Sequence, residues 1–243
     1  MIRPVRLLPV ALVLASLACS VSLPSTTRLA GSGNIVSIEQ DAADFDRLEI
    51  GRAFRVTVSQ GDAYSVVIRI DDNLEPYLRV QQQGGTLSIG LTDEIGLGFL
   101  TATLEADITM PSFVSVEASD ASQVTLVDFV LQDEVSLDAS GASRFEGDLE
   151  APRLDLTLSG ASGADLRGSA QDLRIDASGA STADMSELSA TNADVIVSGA
   201  SNATVDVSGT LEVDASGASH VTYLGSPTLG DVNVSGASSV EAE

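Results

Sequence analysis

A four-residue phrase, Ser-Gly-Ala-Ser, returns six times in the second half of this chain, and its spacing leaves few folds open. It stands at Ser140 to Ser143, Ser159 to Ser162, Ser178 to Ser181, Ser198 to Ser201, Ser216 to Ser219 and Ser235 to Ser238. A degenerate copy, Ser119-Asp120-Ala121-Ser122, comes first, and the steps between first serines are 21, 19, 19, 20, 18 and 19 residues. A fixed period of this length marks an architecture of stacked rungs, in which one unit cannot bury its apolar face alone. The flanking residues decide between helix and strand. Apolar residues alternate before each phrase, as in Leu154-Leu156-Leu158 and Leu211-Val213-Ala215, and again after it, as in Ala200-Ala203-Val205. Alternation with period two is that of a half-buried strand.

The glycine between two such runs marks a corner, where a residue without a side chain turns at little cost. Each unit therefore reads as strand, Ser-Gly corner, strand and a looser turn, at Gly147-Asp148, Gly168-Ser169, Ser208-Gly209 and Gly225-Ser226-Pro227. The expected fold class is all-β: a parallel β-solenoid (β-helix) of about 19–20 residues per rung, preceded by an irregular β-rich N-terminal part. Small alanines at the corners imply a thin, tightly filled interior. The repeated serines are expected to bond backbone groups at the turns. A nucleophile is needed once, not six times.

Residues 1–18 stand apart. Arg3 and Arg6 precede the apolar run Leu7 to Leu17, and small residues lead to Cys19, the single cysteine. This is the pattern of a secretory signal, too short for a spanning helix. Ala15-Ser16-Leu17-Ala18-Cys19 resembles a bacterial lipobox, although Ser16 occupies the place where leucine is commoner. That resemblance implies lipidation at Cys19 and export to the cell envelope. The expected divisions are a signal peptide (1–18), a lipidated tether (19–32), the irregular β part (33–118) and the regular solenoid (119–243).

No lysine occurs, and without Arg3 and Arg6 the chain keeps 10 of its 12 basic residues against 35 acids, a formal charge of −25. Nucleic acid and anionic head groups both need a basic patch, so neither is an expected partner. In the N-terminal part, Phe45 to Ile50, Phe54 to Val58 and Tyr64 to Ile70 alternate as strands. Further strands are expected at Leu78 to Val80, Leu87 to Ile89 and Thr103 to Met110, with turns at Gly84-Gly85 and Pro111 and a short turn at Leu74 to Tyr77.

Phe54-Arg55-Val56-Thr57-Val58-Ser59-Gln60-Gly61, then Thr109-Met110-Pro111-Ser112-Phe113 and the Ser-Gly-Ala-Ser units, resemble a family of bacterial envelope proteins. It is the family called putative auto-transporter adhesin, head GIN domain, and the likeness covers roughly residues 33 to 240. It implies a β-helical fold in two parts and an envelope location, and carries no established catalytic residues.

Chemistry is expected to be sparse. Counting back from each corner gives two outward rows, Asp138, Thr157, Asp176, Ile196, Asp214, Asn233 and Ser136, Asp155, Arg174, Asp194, Glu212, Asp231. Stacked carboxylates invite a bridging cation, but neither the Gly-Gly-x-Gly-x-Asp repeat nor an EF-hand loop occurs, so no metal, cofactor or catalytic residue is assigned. His220 can be drawn beside Ser219 and Asp214 as a triad, without a nucleophile elbow to support it. The expected role is non-catalytic binding, adhesion or scaffolding at the envelope, toward a protein or a glycan. The alternative is a glycan-active enzyme using paired carboxylates. An open β edge near Glu243 is expected to be covered by the N-terminal part or by self-association.

Overall fold

The computed structural model describes residues 30–93 and 101–243. Cys19 and the signal and lipobox readings lie outside them. The N-terminal part contributes β1 (Ile35–Gln40), β2 (Arg47–Ile50), β3 (Arg55–Gln60), β4 (Ser65–Asp71), β5 (Leu78–Gln83), β6 (Thr86–Leu91), β7 (Leu104–Met110) and β8 (Ser115–Ala118). The remainder gives β9 (Gln123–Val130), β10 (Val135–Ala139), β11 (Arg144–Leu158), β12 (Gly163–Ala177) and β13 (Thr182–Val197). It ends with β14 (Asn202–Val207), β15 (Thr210–Ala215), β16 (His220–Gly225), β17 (Thr228–Val234) and β18 (Ser239–Ala242). A 3-10 turn at Glu75–Tyr77 falls where a short turn was expected.

The strands pair as a parallel β-solenoid of about seven turns. Before each corner the order is β6, β2, β8, β10, then the second halves of β11, β12 and β13, then β15 and β17. After each corner it is β7, β3, β9, the first halves of β11, β12 and β13, then β14, β16 and β18. The registers carry whole columns of side chains through the rod. Leu87, Leu48, Val116, Leu137, Leu156, Ile175, Val195, Val213 and Val232 lie one above another. All but Val232 are buried. Each such side chain contributes about 1.5–3 kcal/mol relative to exposure. One continuous cluster of buried residues runs from Phe45 to Val221.

The interior narrows along the rod. Phe45, Phe54, Phe113, Phe129 and Phe145 fill the N-terminal rungs, with Phe113 and Phe129 edge-on at 4.8 Å. Beyond Phe145 its column continues as Ala164, Ala183 and Ala203. At the N-terminal end the stacking turns antiparallel: β4 closes on β7, β1 on β4 and β5 on β6. Buried Asp71 fastens this cap, its carboxylate accepting the N–H of Gly33 at 2.6 Å and of Thr103 at 2.7 Å.

Two sequence expectations change. Gly147 and Gly168 are not loose turns but bends inside the continuous strands β11 and β12, at φ 128° and 114°. A Cβ there would stand 1.9 Å and 2.1 Å from the carbonyl oxygens of Leu126 and Leu149, so glycine keeps the ladder unbroken through the bend. The second change is an additional corner. Gly51 to Phe54 turns β2 into β3 and stacks on Ser119 to Ser122, the Ala53 N–H donating to the Asp120 carbonyl at 3.0 Å. Arg52 and Ala53 there take left-handed conformations, both at φ 62°.

At the regular corners the alanine N–H donates to the glycine carbonyl of the rung before, at 2.7–2.8 Å from Ala161 through Ala237. A Cβ on Gly199 would meet the Gly179 oxygen at 2.5 Å, whereas one on Gly33, at a similar positive φ, would meet nothing within 4 Å. Gly33→Ala is expected to cost only the left-handed penalty of about 1–2 kcal/mol. Gly199→Ala is expected to cost clearly more, because it also breaks the stacking contact. Equal losses in denaturant titrations of the two variants would remove the stacking explanation.

Candidate functional site

The corner serines are structural, as expected. Ser122, Ser143, Ser162, Ser181, Ser201 and Ser219 are buried. Five of these hydroxyls, at Ser122, Ser162, Ser181, Ser201 and Ser219, donate to the carbonyl of the first serine of their own phrase at 2.7–2.9 Å. Ser143 Oγ accepts the Ser122 N–H from the adjoining rung at 3.2 Å. Ser219 is therefore committed to Ser216. His220 instead meets Ser239 Oγ through Nδ1 at 2.5 Å and Thr222 Oγ1 through Nε2 at 3.2 Å. The residues of the drawn triad do not come together.

The outward rows are in register, but they are not runs of like charge. Asp138, Thr157, Asp176, Ile196, Asp214 and Asn233 do stack in that order, so each acid alternates with a neutral residue. In the second row Arg174 lies between Asp155 and Asp194 and is ion-paired to Asp194. That row ends differently from the sequence count. A register shift in β17, between the partners of Leu211 and Val213, takes Asp231 out of line with Glu212. The neighbouring row is compensated too, with Arg153 beside Glu134 and Asp155 and Asn192 donating to Asp172 at 2.9 Å. Exposed pairs of this kind add little stability, about 0–1 kcal/mol each. Their effect is to lower the charge density of the face.

The exception lies where the sequence showed no repeat. The first outward row continues past Asp138 to Glu117, Glu49 and Ser88, on β8, β2 and β6. Here three carboxylates stand on adjacent strands, about 4.8 Å apart, with no basic or neutral residue between them. β5, folded back on β6, adds Arg79 and Gln81 as one wall. The first serines of three corners, exposed Ser140 and half-buried Ser119 and Ser159, also line it, giving a groove of about 440 Å³. Ser88 Oγ donates to Glu49, and Ser136 Oγ donates to Asp138 Oδ2 at 2.9 Å. The Arg79 guanidinium donates to the Leu78 carbonyl at 3.0 Å, which leaves other N–H groups for a ligand.

Glu117 is the middle carboxyl. It reaches solvent, yet partial burial pushes its pKa above the usual carboxylate value, and the charges of Glu49 and Asp138 push the same way. Among the described residues no three His, Cys, Asp or Glu side chains are arranged to hold a metal ion. The groove thus offers carboxylate acceptors, an amide, hydroxyls and a guanidinium. That is hydrogen-bonding chemistry for a polar ligand. Asp138 and the corner serines follow from the repeat in the sequence; Glu49, Glu117, Arg79 and Ser88 meet through long-range pairings.

The chain belongs to the family described as "Putative auto-transporter adhesin, head GIN domain", whose model matches residues 44–227. Solved structures share the fold. A "putative adhesin" from Bacteroides fragilis NCTC 9343 superposes with a TM-score of 0.81 at 16% identity, covering 88% of this chain and 100% of its own. A "putative lipid binding protein" from Parabacteroides distasonis ATCC 8503 gives 0.72 at 16%, covering 89% and 100%. A "putative adhesin" from Parabacteroides merdae ATCC 43184 gives 0.66 at 16%, covering 89% and 99%. No curated protein matches the chain.

Ionised Glu117 is disfavoured in the folded chain, which sets the sign of a pH effect. A carboxyl whose folded pKa is raised costs stability above that pKa, and the cost disappears as pH falls below its ordinary value, 4.5. Glu117→Gln is therefore expected to raise the melting temperature near about pH 7. The gain should shrink to nothing through the acid range. A Glu117→Gln protein that melts lower than the parent at neutral pH would contradict this.

Proposed function

We propose that the chain is an exported, lipid-anchored envelope protein that binds a polar surface ligand without transforming it, and that the groove around Glu117 is where it does so. The observation that carries this reading is the break in charge compensation. Along the rest of the row acids alternate with neutral residues, whereas Glu49, Glu117 and Asp138 gather under Arg79 and Gln81. Family membership supports adhesion as the class of activity. The lipobox-like segment before Cys19 supports an anchor.

The partner is an envelope glycan or protein presenting hydroxyl or amine groups. The groove is tested by Glu117→Lys combined with Arg79→Glu, which reverses both signs while leaving the core columns intact. Binding of the soluble chain to isolated envelope material, followed by sedimentation, is expected to fall at least about tenfold, equivalent to about 1.4 kcal/mol. Unchanged binding would remove the groove from the interaction. The anchor is tested by intact mass after expression with the signal: the parent is expected to be heavier by its lipid than the Cys19→Ser protein. N-terminal masses differing only by the substitution itself would exclude lipidation.

A second reading rests on Glu117 alone. A carboxyl with raised pKa beside two others resembles the acid of a glycoside-cleaving pair. On that reading envelope glycan incubated with the chain releases new reducing ends, and Glu117→Gln stops the release. On the binding reading neither protein releases any.

A further inference from the structure

The end of the rod opposite the cap is open. Leu229, Val232 and Val234 on β17 prolong the core columns of Leu211, Val213 and Ala215, which are fully or almost fully buried. In β17 the same positions are 47%, 37% and 48% exposed. Beside them β18 ends the other stack with Val240, stacked on Val221. Among the described residues no strand pairs with the outer edges of β17 and β18. They present both unpaired peptide groups and an apolar section of the core.

The chain's own N-terminal segment is poorly placed to cover this end. It enters the fold at the cap, where the Gly31 N–H donates to the Thr101 carbonyl at 2.8 Å. From β7 to β18 the stack advances eight strand steps, or roughly 38 Å. With residues 1–18 removed, residues 19–29 reach at most roughly 40 Å when fully extended. Such a segment would arrive with nothing left to lay across β17.

We propose that the open rung is a homophilic contact, in which two copies of this chain meet tip to tip about a two-fold axis. A surface that repeats on both partners must complement itself, and this one does. Its edges join antiparallel, as β4 and β7 already do at the cap, and each apolar trio covers the other. The tether leaves at the cap, so the tips of anchored copies point away from their membrane and pair between facing surfaces. The section of one rung is smaller than the roughly 800 Å² per partner of a standard interface, so a single contact is weak and many act together. The rim also opposes it. No Lys or Arg follows Arg174, while ten acids do, Asp231, Glu241 and Glu243 among them. Salt screens such exposed charges and therefore strengthens the contact.

This surface is separate from the groove, so the two readings fail independently. The test uses the chain from Ser20 onward, which keeps every described residue and carries no cysteine. Sedimentation velocity is expected to show a reversible dimer that tightens as NaCl rises and forms nothing larger. Val232→Lys with Val234→Lys should weaken dimerisation at least about tenfold, and Val232→Thr with Val234→Thr less, in the same direction. Melting temperature and near-UV spectra of each variant establish that it is folded. Beads carrying the parent through its N-terminus should clump in salt, and beads carrying it through its C-terminus should not. A monomer at high concentration in high salt, a ladder of larger species, or a dimer indifferent to folded Val232 and Val234 variants would each overturn the proposal.

Discussion

At each regular corner one hydrogen bond among those joining the rungs sets how closely the glycines stack, from the alanine N–H to the glycine carbonyl one rung earlier. The bond places that oxygen where a side chain on the stacked glycine would have to be, 2.5 Å from a Cβ at Gly179, Gly199, Gly217 and Gly236. Glycine at this position is thus a consequence of rung spacing more than of turning. The first two corners show the difference. Asp120 and Ala121 turn with φ 56° and 67°, and Gly141 above them would hold a Cβ at 3.4 Å from the Asp120 nitrogen. Where the stack is looser, residues with side chains are accepted. At five corners the buried second serine completes the joint by donating to its own corner's carbonyl, so that hydroxyl is not left unpaired.

Close corners and a uniform register dictate the rest of the interior. Rungs that repeat every 18 to 20 residues are filled mainly by valine, leucine and alanine columns, and Phe145 is the one ring buried among them. The buried phenylalanines accordingly lie in the rungs nearer the cap, and beyond Phe145 the one further aromatic residue, Tyr223 on β16, is only partly buried against the core. Taper and cap are one feature: the chain starts with a wide end it can close with antiparallel strands and finishes with a narrow one that exposes Leu229, Val232 and Val234.

The regular rungs were legible because their signal is local. Phrase, alternation and corner all fall within twenty residues, and the outward rows from Asp138 to Asn233 follow by counting. What was not legible depends on pairings that no period announces. β2 pairs with β8, and Glu49 with Glu117, across 68 residues of chain. Between them the chain leaves the solenoid, builds the cap and inserts β6 on the far side of β2. The corner at Gly51 to Phe54 carries no Ser-Gly-Ala-Ser phrase and turns through Arg52 and Ala53, so sequence alone marks a turn at Gly51 between two strands and not a corner of the stack. The bends at Gly147 and Gly168 were misread for a related reason: glycine breaks a lone strand, but in a stack its neighbours hold it in line.

The places with chemical character are those where the repeat gives out. In the middle of the rod every outward position sits between two near-copies of itself, and acids there are interleaved with neutral residues or paired with Arg174 and Arg153. A face so regular can solubilise and protect the sheet, but it offers a ligand no unique point. At the junction of cap and solenoid, strands of different origin meet, and Glu49, Glu117 and Asp138 stack without interruption beside an arginine from β5. Partial burial then raises the pKa of the middle carboxyl, which a fully solvated ladder would not do to the same extent. At the other end the repeat stops and the core itself becomes surface. A monotonous solenoid holds two dissimilar ends at a fixed separation, and both candidate contacts of this chain arise from that asymmetry.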